Sequence, residues 1–143
     1  MALTDRNRQM RVVAEILLVH LPELIDQDQD LARDLLSVAG TALRDIYEDA
    51  EQSAKAWDKK AYHVRADAFR REWDWSLGAS NYALGLAARE KPLSLESLTR
   101  FRQLIRPKLE KPARRQIPDP TRFRGAAQAV RDKLARQRKP VRW

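Results

Sequence analysis

The 143-residue chain has no cysteine, which excludes disulfides, thiolate metal sites and thiol nucleophiles and suits a reducing compartment. Glycine is almost as scarce. Gly40, Gly78, Gly85 and Gly125 each stand alone, so no glycine-rich phosphate loop can be assembled. The longest apolar runs, such as Ile16 to Val19, fall far short of the roughly 20 residues needed to span a bilayer. The opening Thr4-Asp5-Arg6-Asn7-Arg8 does not read as a signal segment. A cytoplasmic protein without membrane contact is expected. No alternating strand pattern or internal repeat occurs.

Five of the seven prolines lie at or after Pro107, which leaves long stretches rich in Ala, Leu, Arg, Glu and Asp, a helical composition. Charge divides the chain at nearly the same place. Residues 1–111 hold 18 Lys and Arg against 18 Asp and Glu, whereas residues 112–143 hold 10 against 2, and that surplus is the whole net charge of +8. A neutral folded domain, 1–111, is therefore expected to carry a basic arm, 112–143, that seeks polyanions.

Apolar spacing predicts four helices in the domain. In the first, capped by Thr4 and Asp5, the stripe is Val13, Leu17, His20, Leu21 and Leu24, widened by Val12 and Ile16. Pro22 should kink or break it near Leu21. The second, capped at Asp30, carries Leu31, Leu35, Val38, Ala42 and Ile46 and should end near Lys55. The third is expected from Trp57–Lys60 to about Arg89, with one apolar row through Tyr62, Ala66, Phe69, Trp73 and Leu77 and another through Trp75, Ala79, Tyr82 and Leu86. Two adjoining rows exceed the stripe of a surface helix, which makes this helix central or part of a subunit contact. The fourth follows Pro92, with Ser94 as cap and Leu93 and Leu98 as hydrophobic staple, and should stop near Pro107. The fold class expected is all-α, an up-down four-helix bundle. After Lys111 the Pro/Arg-rich composition reads as an arm unable to bury a core, with one possible amphipathic helix over about Thr121–Arg138 set by Phe123, Ala127, Val130 and Leu134.

Candidate chemistry is sparse. His20 lies on an apolar face and His63 is placed to pair with Asp67 at helical spacing; both read as structural or surface groups. No Glu-x-x-His step exists to build a dimetal bundle. The four-helix HEPN ribonucleases resemble the chain in size and helicity, but they place an Arg a few residues before a His; here the nearest upstream arginines, Arg11 and Arg44, are nine and nineteen residues away. No catalytic residue, metal ligand or cofactor site is assigned, and the protein is expected not to be an enzyme. The nine carboxylates from Glu23 to Glu51 read as the solvated face of the second helix, able to hold a neighbour's basic face or to restrain the chain's own arm. Trp57, Trp73 and Trp75 fit core or subunit packing, while Trp143 suits base stacking or a partner pocket.

The functional signal is the arm. Arg114, Arg115, Arg122, Arg124, Arg131, Lys133, Arg136, Arg138, Lys139 and Arg142, with Trp143, form the candidate nucleic-acid interface, because guanidinium groups match phosphate oxygens and release condensed counterions. Lys59, Lys60, Arg70 and Arg71 form a secondary basic face.

The strings Ala32-Arg33-Asp34-Leu35-Leu36, Lys60-Ala61-Tyr62 and Ala66-Asp67-Ala68, with Pro92 before a short fourth helix, resemble the accessory variability determinant (Avd) proteins of diversity-generating retroelements, relatives of the four-helix proteins encoded by ribosomal RNA intervening sequences. The resemblance covers about residues 8 to 111. It implies a subunit of a pentameric barrel without enzymatic activity that binds a reverse transcriptase and its template RNA during mutagenic cDNA synthesis. Pro107 and the long arm depart from that pattern, and the second departure suggests that nucleic-acid contact has moved onto the arm. The competing expectation is a protein-interaction adaptor subunit of a defence or other ribonucleoprotein complex, with the tail folding onto an acidic partner.

Overall fold

The computed structural model describes residues 3–89 and 91–137, and among them the chain is all-helical, without strands. No described helix is long and apolar enough to cross a membrane. The first rod consists of α1 (Leu3–Glu15), one π turn (Ile16–His20) and α2 (Leu21–Leu24). Proline lacks an N–H and its ring crowds the preceding turn, yet Pro22 does not break the rod. The turn widens instead: Leu21 donates to the Ile16 carbonyl and the backbone stays helical at Glu15, His20 and Leu21. The π spacing accommodates the ring, and Val13, Ile16, Leu17 and Leu21 remain buried on one face.

Next comes α3 (Gln29–Lys59), which packs against α1, α4 (His63–Trp73), α5 (Trp75–Ala88) and α7 (Ala126–Gln137). Its cap is Asp28, not Asp30, since the Asp28 carboxylate accepts the Leu31 N–H at 3.1 Å. It also outruns Lys55, so Trp57 sits in its last turn rather than opening the next helix. The end is a Schellman closure: Tyr62 N–H donates to Trp57 O and Ala61 N–H to Asp58 O, both at 2.9 Å. Ala61, at φ 65°, holds the left-handed position that glycine usually takes.

Separate helices α4 and α5 replace the single helix expected through residue 89. The backbone at Asp74 keeps helical dihedrals (φ −61°, ψ −31°), and what is interrupted is the hydrogen-bond ladder, by side chains from near and far in sequence. Arg106 donates to Arg71 O at 2.5 Å, the Trp75 indole to Glu72 O at 2.9 Å and the Ser76 hydroxyl to Trp73 O at 2.5 Å. Three successive carbonyls thus bond side chains in competition with the helical ladder. Beyond the break α5 lies close on α3. The Ser80 hydroxyl reaches Gly40 O at 2.7 Å, and a Cβ on Gly40 would stand 2.8 Å from Leu84 Cδ2.

After Arg89, α6 (Leu95–Leu104) begins as expected: Ser94 Oγ accepts the Ser97 N–H at 3.1 Å, and Leu93 and Leu98 are both buried beside that cap. It ends before Pro107. The remaining chain runs through a 3-10 turn (Pro120–Phe123) into α7. The expectation that nothing after Lys111 is buried is corrected here. Ile117 and Ala127 are 4% and 2% exposed, and Ile117 joins Leu109 in the hydrophobic core. Ala127 lies on the row that the spacing marked, but Ile117, a single apolar anchor between Pro112 and Pro118, carries no periodicity, so pattern alone did not reveal it. The final helix is also shorter than expected, because Asp119 caps the 3-10 turn rather than a longer α-helix.

Candidate nucleic-acid interface

Two buried carboxylates fasten the cationic segment to α1 and α3. Glu15, fully buried in α1, accepts the Gln116 N–H at 2.6 Å and the Ile117 N–H at 2.8 Å, while His20 Nε2 lies 2.8 Å from the same carboxylate. Burial pushes the Glu15 carboxyl up, but the bond from His20, followed by those from the two backbone N–H groups, outweighs it and holds the group below its ordinary value. Asp34, 7% exposed on α3, accepts the Gly125 and Ala127 N–H groups, each at 3.0 Å. The first turn of α7 is thereby capped by a side chain from another helix, satisfying donors that would otherwise lack partners.

Gly125, at φ 91°, provides the left-handed turn that aims both N–H groups at Asp34. Beside it the Arg124 guanidinium meets Asp28 at 2.6 Å. The Asp28 carboxyl is held down chiefly by that bond and then by the Leu31 N–H. These contacts revise the acidic stretch from Glu23 to Glu51. Asp34 and Asp49 are buried rather than solvated, and Asp49 binds Arg6 at 2.5 Å. Partners some 90 residues away leave no mark in the local pattern.

With the backbone held in this way, the arm's cations are displayed on a folded surface. Arg114, Arg115, Arg122 and Arg136 are exposed and form no ion pair among the described residues. Arg131 is half-buried and donates to Gln128 Oε1 at 3.1 Å. Lys133 is exposed beside Asp45, whose carboxyl is raised by burial and then by Glu48 against the pull of Lys133. Arg124 is the one arm cation paired with a carboxylate among the described residues. Arg138, Lys139, Arg142 and Trp143 lie outside the described residues.

The secondary face divides. Lys59, Lys60 and Arg71 are exposed, but Arg70 is drawn inward by Asp58 at 2.7 Å, Asp67 at 3.4 Å and Glu51 at 3.7 Å. His63 pairs with Asp58 at 2.8 Å rather than with Asp67, because Asp58 sits directly across the Schellman corner. Trp57, Trp73 and Trp75 are half-buried: Trp57 meets Phe69 edge-on at 5.0 Å, and Trp73 lies 6.4 Å from Phe69 and 6.1 Å from Trp75.

Cations up to Lys111 are exposed as well: Arg100, Arg102, Arg106, Lys108 and Lys111. Division at Arg100 would have found them: residues 100–143 hold 15 Lys and Arg against 3 Asp and Glu, leaving residues 1–99 with 13 against 17. Arg106 is partly engaged, reaching Asp74 at 3.1 Å as well as Arg71 O. Compared with protein families, curated proteins and solved structures, the chain has no significant match in any of the three.

Proposed function

We propose that the chain is a non-catalytic, nucleic-acid-binding accessory protein, a four-helix bundle of up-down type to which a basic segment is strapped, that works in the cytoplasm as a homo-oligomer. One observation supports the nucleic-acid reading: Glu15 and Asp34 hold the backbone at Gln116, Ile117, Gly125 and Ala127 while Arg114 and Arg115 stay exposed without carboxylate partners among the described residues, and the exposed Arg122 has only the attraction of Asp119. Guanidinium groups on a fixed surface suit the phosphate backbone, whose neutralisation releases counterions and adds little sequence preference. That the partner enzyme is a reverse transcriptase, that the ring is pentameric and that the task is mutagenic cDNA synthesis are what the resemblance to the Avd proteins contributes.

Single-stranded RNA binding, titrated against salt, tests this reading with Arg114, Arg115 and Arg122 replaced together by Ala. Affinity that falls with salt in the parent and weakens in the variant supports it; no RNA binding by the parent, or equal binding by both, removes it. Deletion of residues 112–143 is a poor substitute, because it would strip Glu15 and Asp34 of their partners and unfold more than the arm. Association with a reverse transcriptase is tested separately, by co-elution with one encoded beside this chain's gene.

The adaptor reading drew on Phe123, Ala127, Val130 and Leu134 as a face for an acidic partner. Phe123 and Ala127 pack on the chain's own core, and α7 lies along α3 and α5. Val130 and Leu134 stay half-buried on α7, which leaves that reading a smaller face than the spacing offered.

A further inference from the structure

The corner between α3 and α4 carries an open groove of about 1140 Å³ whose lining includes Trp57, Tyr62, Phe69 and Trp73. Four of the chain's ten Phe, Trp and Tyr residues thus share one surface. Arg6 supports the floor from α1: its guanidinium lies 5.1 Å from the Phe69 ring and 5.8 Å from that of Trp73, and its charge is met by Asp49. The backbone of Tyr62 closes the Schellman corner, but its side chain stays outside the ring contacts of the floor and the residue is 57% exposed.

We propose that this groove receives unstacked bases of a single-stranded nucleic acid, with Tyr62 and Trp57 as the rings on which they stack and Arg65, Lys59 and Lys60 as the cations that hold the adjoining phosphates. Every base has a π face, so aromatic rings flanked by cations bind single strands with little regard to sequence, whereas a duplex keeps its bases stacked on one another. The inference rests on the nucleic-acid reading and adds to it a second contact, one that selects the form of the strand.

Charge at the Trp57 end of the groove complements phosphate. Arg65 lies 5.6 Å over the Trp57 ring and, like Lys59 and Lys60, is exposed and forms no ion pair among the described residues. The two lysines directly precede Ala61 and Tyr62 of the lining. Asp58, beside them in sequence, is already engaged by His63 at 2.8 Å and Arg70 at 2.7 Å. Glu72, the carboxylate of the lining, stands two turns of α4 beyond Arg65, about 10 Å along the axis. A strand laid across Trp57 and Tyr62 therefore meets one sign of charge where its phosphates fall.

Three probes, titrated against the full chain, test this: a single-stranded RNA, its duplex, and an abasic strand with the same number of phosphates. The parent should bind the base-bearing strand about tenfold or more tighter than the abasic one, the factor that one stacked base contributes. Tyr62→Ala should weaken the base-bearing strand at least about fivefold. It should leave the duplex, the abasic strand and the salt slope as they are in the parent, since no charge is removed. Circular dichroism checks that this exposed substitution keeps the fold, and the abasic comparison needs no variant. A parent that binds none of the three probes overturns both the inference and the nucleic-acid reading on which it rests. Equal affinity for base-bearing and abasic strands, or a Tyr62→Ala variant that binds the base-bearing strand as the parent does, overturns the inference alone and leaves the arm cations as the interface.

Discussion

The Glu15 carboxylate accepts the backbone N–H of Ile117 at 2.8 Å across 102 residues of sequence. This buried bond converts a Pro- and Arg-rich tail into part of the fold. Side chain and backbone are secured together, since Ile117 itself is 4% exposed and burial of one such side chain contributes roughly 1.5–3 kcal/mol.

Replacing Glu15 with Gln should therefore destabilise the protein by about 2 kcal/mol, because an amide offers one acceptor oxygen where three donors converge and introduces donors of its own. Chemical denaturation at neutral pH measures this. Acid should act through the same group. The Glu15 carboxyl is lowered from its ordinary value of 4.5 in the folded state, so its contribution is complete above that value and is lost as pH falls through the lower, folded one. Asp28, also lowered, loses its hold on Arg124 in the same direction. Acid titration of Glu15→Gln should show a smaller loss of stability below about pH 4.5 than the parent.

Asp34→Ala removes the cap that α3 lends to α7. Loss of an N-cap costs about 1 kcal/mol, and here the loss is local. Amide hydrogen exchange should quicken through residues 126–137 while α3 and α5 stay protected; uniform exchange across all helices would show that α7 does not depend on this carboxylate.

Ala61→Gly should stabilise the protein by about 0.5 kcal/mol, since relief of the left-handed penalty on Ala, roughly 1–2 kcal/mol, exceeds the entropy that Gly adds to the unfolded chain. Thermal unfolding measures the change, and a lower melting temperature would contradict the Schellman assignment at this corner.

Arg70→Ala should leave RNA affinity within about twofold of the parent, because its guanidinium is occupied by Asp58, Glu51 and Asp67 and cannot engage phosphate without breaking those pairs. Arg114→Ala and Arg115→Ala, which free no carboxylate, should each weaken binding. Parallel titrations compare the three.

What the sequence disclosed follows from how far its signals reach. The apolar stripe of the first rod and the Ser94 cap with Leu93 and Leu98 depend on residues within two turns of one another, and the structure has them where the spacing put them; α6 stops at Leu104, short of the Ile105 and Leu109 that the same spacing had joined to it. The interruption at Asp74 depends in part on Arg106, 35 residues from the carbonyl it takes. The strap depends on Glu15 and Asp34, whose partners lie 101 and 93 residues away in Gln116 and Ala127. Such bonds have no period. The cations of the candidate interface were legible as a charge surplus, but the anchoring of their backbone to Glu15 and Asp34 required the fold.

Whether the outward-facing cations neutralise phosphate is the decisive question. Fluorescence anisotropy of a labelled single-stranded RNA, followed from low to moderate salt, measures this directly. The parent should show log affinity falling linearly with log salt, and the Arg114, Arg115 and Arg122 triple Ala variant should lose about two units of slope, as three single-strand phosphate contacts at roughly 0.7 each require. A parent that binds no RNA, or a variant with an unchanged slope, would contradict the account.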